Sequence, residues 1–147
     1  MAVTIDIGEE NDIHPKNKRD VGYRLAQCAS RLIYGDSAVP ENIECTSAEL
    51  ISAENTRAAV LLRFSDNSAV RMVNIPPKHF EFVLENGSVS AVAGYRTKDG
   101  ILLEGELSEL PQAVRYAWKN NPANPDLFGQ GGIPLSPFII KIIDKDV

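Results

Sequence analysis

The stretch AAVLLRFSDN, residues 58–67, joins a strand pattern directly to a turn. Residues 58–64 form a short, mostly apolar run of the length typical of a strand, and Ser65, Asp66 and Asn67 favour turns. The same succession recurs along the chain, with further turn signals at Asn86-Gly87 and Asp99-Gly100. We predict strands at residues 43–52, 58–64, 69–74, 80–84, 90–97, 101–107, 113–118 and 138–143. Seven or eight short strands separated by turns predict a mainly β fold, an antiparallel β-sandwich over residues 41–147.

The residues before this β-rich region predict a strand, a loop and a helix. β-branched residues alternate in residues 2–7, which predicts a strand, and Pro15 suits the first position of a helix. Gly35 is the expected end of that helix. Spacings of three and four residues place one apolar stripe along it, made of Val21, Leu25, Cys28, Ala29, Leu32 and Ile33.

Residues 36–40 are small or turn-forming, and we place a domain boundary there. The predicted units are residues 1–36 and residues 41–147. Gly22, inside the predicted helix, is expected to mark a close approach to a neighbouring backbone. A lone strand and helix cannot bury their apolar faces, so the stripe must pack on the sandwich, on a second copy or on a missing partner.

Composition excludes several classes of protein. The chain has 147 residues, of which 44% are hydrophobic, and a net charge of −5. Its basic residues are scattered, and they do not form the positively charged patch that binds nucleic acid. No apolar run approaches the roughly 20 residues of a membrane-spanning helix, and the N-terminus lacks a secretory pattern, so export is not inferred from the residues. Cys28 and Cys45 form no zinc-binding or disulfide pattern, and no cofactor is implied.

His14 is the candidate for catalysis that the residues themselves offer. It lies in Asn11-Asp12-Ile13-His14-Pro15, between the predicted strand and the predicted helix. A position near a helix N-terminus favours the neutral imidazole, which can accept a proton as a general base. The alternative is a histidine that caps the helix or satisfies the local backbone.

Two parts of the chain resemble the sialate O-acetylesterase family of carbohydrate esterases, within the SGNH-hydrolase superfamily. The first part comprises MAVTID at 1–6, NDIHPKNK at 11–18, VG at 21–22 and RLA at 24–26. The second comprises AVRYAW at 113–118, NNP at 120–122, LF at 127–128, GIP at 132–134 and SPF at 136–138. The resemblance implies that residues 1–36 are a strand-loop-helix remnant of an α/β SGNH hydrolase domain and that the β-rich region follows it. The chain then looks like the C-terminal portion of a longer enzyme.

The resemblance implies a role for His14 as general base in ester hydrolysis. The superfamily's Asp-x-x-His pattern would require an acid at position 11, where this chain has Asn11. Asp12 lies two residues before His14, so either its carboxylate or a main-chain carbonyl of this loop orients the ring. Asp12 also suits the N-cap of the helix.

No serine in the chain occupies a convincing nucleophile position. Gly35-Asp36-Ser37 spells the superfamily's nucleophile signature, but it follows the predicted helix instead of an apolar strand. We therefore interpret it as a turn at the helix end. The resemblance implies that the serine nucleophile and the oxyanion-hole residues come from segments absent from this chain.

Residues 120–137 are predicted to form a long loop, of the kind that is often functional. The residues next to it suit a surface that faces a sugar, since they combine aromatic rings with amide donors: Arg115, Tyr116, Trp118, Asn120 and Asn121. Tyr116 and Trp118 share one strand face and also fit an ordinary core. His79 follows Pro76-Pro77-Lys78 and is expected at a surface turn.

Two hypotheses for the function remain. In the first, the chain is the C-terminal part of a carbohydrate O-acetylesterase and supplies His14, with Asp12, to a nucleophile carried by another segment, by an N-terminal hydrolase chain or within a homo-oligomer. In the second, it is a non-catalytic β-sandwich, an accessory or carbohydrate-contacting module. The implied substrate is an acetylated carbohydrate, and the resemblance alone implies an exported or periplasmic parent enzyme.

Overall fold

The described part of the protein is mainly β, with one α-helix near the N-terminus of the chain. The structure is a computed structural model, and it describes residues 1–54, 56–87, 89–107 and 109–144. Helix α1 is Lys18–Tyr34. The strands that follow are β1 Cys45–Glu54, β2 Arg57–Phe64, β3 Arg71–Met72, β4 Phe80–Val83, β5 Val89–Ala91, β6 Ala93–Thr97, β7 Gly100–Glu106, β8 Ala113–Tyr116, β9 Leu127–Phe128 and β10 Phe138–Asp144. A short 3-10 helix covers Gln130–Gly132.

Eight of these strands form one curled, mixed sheet in the order β5-β4-β8-β10-β1-β2-β7-β6. The strands β3 and β9 pair separately. Strand β10 lies centrally: Phe138 pairs with Tyr116 of β8 in antiparallel register, and Ile142 pairs with Ala48 of β1 in parallel register. The prediction of an entirely antiparallel arrangement is therefore wrong at the β1–β10 pair.

Among the residues that the structure describes, the inward side chains of the sheet form an apolar core. Val60, Leu62, Phe82, Ile101 and Leu103 are at most 1% exposed. Rings from three different strands meet there, with the Tyr116 centroid 4.9 Å from Phe80 and 5.4 Å from Phe138. The alternation of buried and exposed residues along β2, β4 and β7 is the periodicity that predicted strands in the sequence.

Two glycines lie at the helix end and at the turn where the sequence predicts them. Gly35 closes α1 in a left-handed conformation, with φ of 69°, and its N–H donates to the Arg31 carbonyl. Gly100 has a φ of 149°, and a Cβ there would lie 1.9 Å from the Leu62 carbonyl oxygen, so the turn between β6 and β7 requires glycine.

The N-terminal region departs from its predicted structure. Residues 2–7 form turns and irregular structure instead of a strand, because Asp6 in this segment pairs with Arg24 of α1 and Val3 alone among its side chains is fully buried. The helix begins at Lys18 and not at Pro15. A Cβ on Gly22 would meet no atom within 4 Å, so the predicted close approach is absent.

The β-rich region matches its prediction more closely. The predicted strand at 90–97 is divided into β5 and β6, and the predicted loop at 120–137 contains the short strand β9. Neither helical segment of the described chain has the length and apolar character that crossing a bilayer would require.

The Tyr116 hydroxyl joins the core to the loop that follows β8. It accepts a hydrogen bond of 2.9 Å from the Leu127 N–H, and burial raises the pKa of the hydroxyl. We expect Tyr116→Phe to lower the free energy of unfolding by about 2 kcal/mol, because it leaves a buried N–H without an acceptor. Urea denaturation checks this, with Tyr95→Phe, at a half-exposed position, as the control that should change little. Equal effects of the two substitutions would contradict the role of this hydrogen bond.

Candidate functional site

The loop that carries His14 is folded around Glu9. The Glu9 carboxylate accepts a hydrogen bond of 2.8 Å from the Lys16 N–H, and the Glu9 carbonyl accepts one of 3.3 Å from the Asp12 N–H. Asn17 then caps α1, since its side chain accepts from the Asp20 N–H at 3.1 Å. The chain therefore reaches the helix through a compact turn, and His14 lies in that turn.

Asp12 binds the backbone of His14. Its Oδ1 accepts a hydrogen bond of 2.8 Å from the His14 N–H, which closes a local turn. The prediction of Asp12 as the helix N-cap is wrong, because Asn17 fills that position. Both Asp12 and His14 are exposed, and in the part of the chain that is described, the His14 ring makes no hydrogen bond. The pairing of Asp12 with the ring stays a prediction.

Arg24 fixes the N-terminal segment against the helix. Its guanidinium donates to both Asp6 oxygens, at 2.5 and 2.8 Å, and to the Val3 carbonyl at 2.8 Å. Arg24 is 8% exposed, and its hydrogen bonds to the Asp6 carboxylate raise the pKa of the guanidinium. A bidentate pair of this kind is the strongest geometry between arginine and a carboxylate. It positions the start of the segment that leads to His14.

Ser37 and His14 lie beyond opposite ends of α1. His14 precedes α1, and Ser37 follows it after Gly35. The helix has 17 residues, and at 1.5 Å per residue it separates its two ends by about 25 Å. A nucleophile and its base require hydrogen-bond reach of about 3 Å. The interpretation of Gly35-Asp36-Ser37 as a helix-end turn agrees with this geometry, since Asp36 accepts there from the Ser30 hydroxyl at 3.0 Å.

The Cys45 thiol lacks the character of an activated nucleophile. Burial raises the pKa of the Cys45 thiol to about 12, so it is protonated at neutral pH. Cys28 is a half-buried residue of α1, and both thiols are free. Within the described ranges, no group of three His, Cys, Asp or Glu side chains is arranged to hold a metal ion.

Helix α1 has its polar face turned inward and its apolar face turned outward. Arg24 is its one buried residue, and Arg31 donates to the Val39 carbonyl at 2.7 Å on the same side. The predicted apolar stripe lies mainly in solvent: Leu25 is 55% exposed, Leu32 71% and Ile33 75%. An ordinary surface helix buries its apolar face. The apolar face of α1 is instead exposed and has no partner among the described residues.

A cleft of about 400 Å³ lies between the start of the His14 loop and the segment after β8. Six polar residues line it: Thr4, Glu9, Glu10, Lys119, Asn120 and Asn121. Ile5, Pro122 and Pro137 supply apolar walls. Its volume falls within the usual range of small-molecule sites.

The predicted sugar-facing residues divide into two groups. Asn120 and Asn121 line the cleft, and Trp118 is 51% exposed. Tyr116 is fully buried in the core, and Arg115 is engaged with Glu81 at 2.6 Å across the sheet. The core interpretation is thus correct for Tyr116 and wrong for Trp118.

A buried carboxylate that the sequence does not indicate supports the segment after β8. Asp126 is 0% exposed, and its Oδ2 accepts from the Lys78 and His79 N–H groups, both at 2.8 Å. Its Oδ1 accepts from the Asn74 side chain at 2.7 Å. These partners are distant in sequence, so no local pattern indicates them.

His79 is part of the same network. The prediction of a surface position is wrong, since His79 is 9% exposed. Its Nε2 lies 3.0 Å from the Ala123 carbonyl and 3.2 Å from the Asn124 carbonyl. Carbonyl oxygens only accept, so Nε2 carries the proton and donates to them. The residues between Trp118 and Asp126 are thereby held against the sheet.

Comparisons with known proteins point to the carbohydrate esterases. No protein-family profile matches the chain. The chain is 26% identical to a sialate O-acetylesterase from Pongo abelii, in an alignment that covers 99% of this chain and 30% of that protein.

A solved structure leads to the same class of enzyme. The crystal structure of a carbohydrate acetylesterase from Xanthomonas citri superposes with a TM-score of 0.75 and 28% identity, covering 91% of this chain and 30% of that one. The chain therefore resembles a region of sialate O-acetylesterase-like carbohydrate esterases, as predicted. It spans less than a third of the length of each relative, which fits a portion of a longer enzyme.

Proposed function

We propose that the chain is the C-terminal part of a carbohydrate O-acetylesterase of the sialate type. His14 acts as the general base toward a serine nucleophile on a polypeptide segment outside this chain. Asp12, or a main-chain carbonyl of the same loop, orients its ring. Residues 1–36 are then the end of an α/β SGNH hydrolase domain, and residues 41–147 are an accessory domain of the sandwich type.

The outward apolar face of α1 carries this proposal. Leu25, Leu32 and Ile33 lie on the helix that directly follows the His14 loop. Burying one such side chain is worth about 1.5–3 kcal/mol, so a polypeptide that covers this face binds with a substantial gain. The relatives contain more than twice as much chain outside the matched region as within it, since the match covers 30% of each. We propose that the corresponding polypeptide covers α1 and brings its serine to His14.

A non-catalytic, carbohydrate-contacting module is the second candidate. The cleft with Asn120 and Asn121 favours it, because sugar binding there requires no nucleophile. The two candidates differ in whether His14 affects turnover once a nucleophile is present.

The isolated chain is expected to show no hydrolysis of a chromogenic acetyl ester above background. Without a nucleophile, covalent catalysis is absent, and His14 alone lowers the barrier only modestly. The assay is run on the purified chain beside His14→Ala and Ser37→Ala. Activity that both substitutions abolish would contradict the proposal and make Gly35-Asp36-Ser37 a working nucleophile.

The positive test is a chimaera in which this chain replaces the matched region of the Xanthomonas citri acetylesterase. Ester hydrolysis by the chimaera, dependent on His14, supports the proposal. A chimaera that unfolds cooperatively on heating is folded. If such a chimaera hydrolyses no ester, the proposal is contradicted, because the α1 face is then covered and His14 is present, and yet no catalysis results.

A further inference from the structure

We propose that the cleft between residues 4–10 and 119–122 binds the uncharged, hydroxyl-rich part of an acetylated sugar beside the His14 loop. This inference rests on the proposed function for the nature of the ligand. The site itself is defined by the residues of this chain, and it assigns them a role in positioning the substrate.

The side chains that line the cleft suit sugar hydroxyl groups. A hydroxyl both donates and accepts, and the Asn120 and Asn121 amides do the same, while the Glu10 carboxylate accepts and the Lys119 ammonium donates. Ile5, Pro122 and Pro137 offer apolar surface for the C–H face of a sugar ring. Ligand sites typically combine apolar walls with a few convergent polar groups in this way.

Residues 4–10 form the first wall of the cleft, and they are held in place before any ligand binds. Glu9 is tied to the Lys16 N–H at 2.8 Å, and the Ile7 N–H donates to the Thr4 carbonyl at 3.2 Å. The buried pair of Arg24 with Asp6 secures the same segment to α1. A wall fixed by these contacts loses little conformational entropy on binding.

Residues 119–122 form the second wall of the cleft, and hydrogen bonds constrain this segment as well. The Ala117 N–H donates to the His79 carbonyl at 2.9 Å, and the Lys119 N–H donates back to the Ala117 carbonyl at 2.9 Å. Ala117 itself has a φ of 50°, a left-handed conformation that reverses the chain directly after β8. At the other end of the segment, buried Asp126 fixes the chain to residues 78–79. Asn120 and Asn121 thus project from a supported loop.

The charges in the cleft favour a neutral ligand. Among the described residues that line it, two are carboxylates, Glu9 and Glu10, and one is an ammonium, Lys119. A carboxylate-bearing sugar placed there meets a net negative wall, and the whole chain carries a charge of −5. We therefore expect the cleft to bind an uncharged ring more tightly than the same ring with a carboxylate.

The cleft is connected to the candidate base by main-chain contacts. Glu9 lines the cleft, and residues Glu9 and Asp12 form a β-bridge within the loop. Asp12 in turn binds the His14 N–H at 2.8 Å. A sugar bound to Glu9 therefore lies next to the turn that contains His14. Binding groups outside the reacting centre can orient a substrate for reaction in this way.

The test is a titration of the ¹⁵N-labelled chain, followed by NMR, with a neutral methyl pyranoside and with the uronate of the same ring. We expect the neutral sugar to shift the amide signals of residues 9–10 and 119–121, and the uronate to bind at least fivefold more weakly. Asn120→Ala and Asn121→Ala should each weaken binding at least threefold. Gln112→Ala and Lys98→Ala, at exposed positions outside the cleft, are the controls that should leave it unchanged.

Several outcomes would overturn the inference. The neutral sugar could cause no saturable shift, or it could shift only the signals of other residues. Both asparagine substitutions could leave its binding unchanged, or the uronate could bind as tightly as the neutral ring. Folding of each variant is verified in the same spectra, because the signals of the core residues report it directly.

The active chimaera separates this inference from the proposed function. There, Asn121→Ala should raise KM at least threefold with kcat almost unchanged, whereas His14→Ala should lower kcat. If KM stays constant while His14 is required, the cleft assignment fails and the function stands. If sugar binds in the cleft but His14 is dispensable for turnover, the function fails and the cleft assignment stands.

Discussion

In an active chimaera, His14→Ala is expected to lower kcat about 10³-fold, with KM little changed. A positioned general base contributes 10²–10⁴-fold to a rate, because it removes the serine proton as the oxygen attacks. The effect falls on kcat since His14 acts in the transition state and does not hold the sugar. Steady-state kinetics with a chromogenic acetyl ester measure it.

Asp12→Ala is the informative companion of this substitution. If the Asp12 carboxylate orients the ring, its loss should lower kcat about 10²-fold, since an unsupported imidazole loses its productive orientation and tautomer. If a main-chain carbonyl orients the ring, Asp12→Ala removes only the bond to the His14 N–H, and kcat falls less than about fivefold. Lys98→Ala serves as the exposed control. A His14→Ala chimaera with undiminished kcat would refute the general-base role outright.

Asp126→Ala is expected to lower the free energy of unfolding by about 4 kcal/mol. It removes three hydrogen bonds from a fully buried carboxylate and leaves the Lys78 and His79 N–H groups without acceptors. Each hydrogen bond to a charged group contributes about 1.5–3 kcal/mol, and part of that loss is recovered by relaxation. A decrease of this size lowers Tm by about 12 °C for a chain of this length.

Two further substitutions define the origin of that effect. Asp126→Asn keeps one acceptor oxygen and should cost about half as much. Asp99→Ala removes an exposed carboxyl group and should change stability by less than about 0.5 kcal/mol. Urea denaturation of all three variants provides the comparison. A change below about 1 kcal/mol for Asp126→Ala would mean that the network does not hold the loop.

Local features of the fold were predictable from the sequence. The turns at Asn86-Gly87 and Asp99-Gly100 and the helix end at Gly35 all require positive φ, and all three glycines adopt it. Alternating burial along β2 and β7 follows from a sheet with one face on the core. Such features depend on residues adjacent in the chain, so their pattern is sufficient to predict them.

Features that depend on distant residues were not predictable. The segment 2–7 has a strand pattern, but Arg24 recruits Asp6 into an ion pair that the pattern does not contain. His79 is buried because Asp126, far along the chain, binds its N–H. The cleft joins residues 4–10 to residues 119–122, which no periodicity connects. The sequence offered His14 as a candidate from its place between two predicted elements, and the resemblance supplied the role of general base that is proposed for it.

The central place of β10 has a consequence for how the chain folds. This strand separates β5, β4 and β8 from β1, β2, β7 and β6, and it bonds to both groups. Without residues 138–144 the sheet is two unconnected halves. Because Ala48 pairs with Ile142, closure joins residues that are 94 positions apart in the chain, which slows folding. During synthesis, this sheet therefore remains incomplete until β10 has left the ribosome.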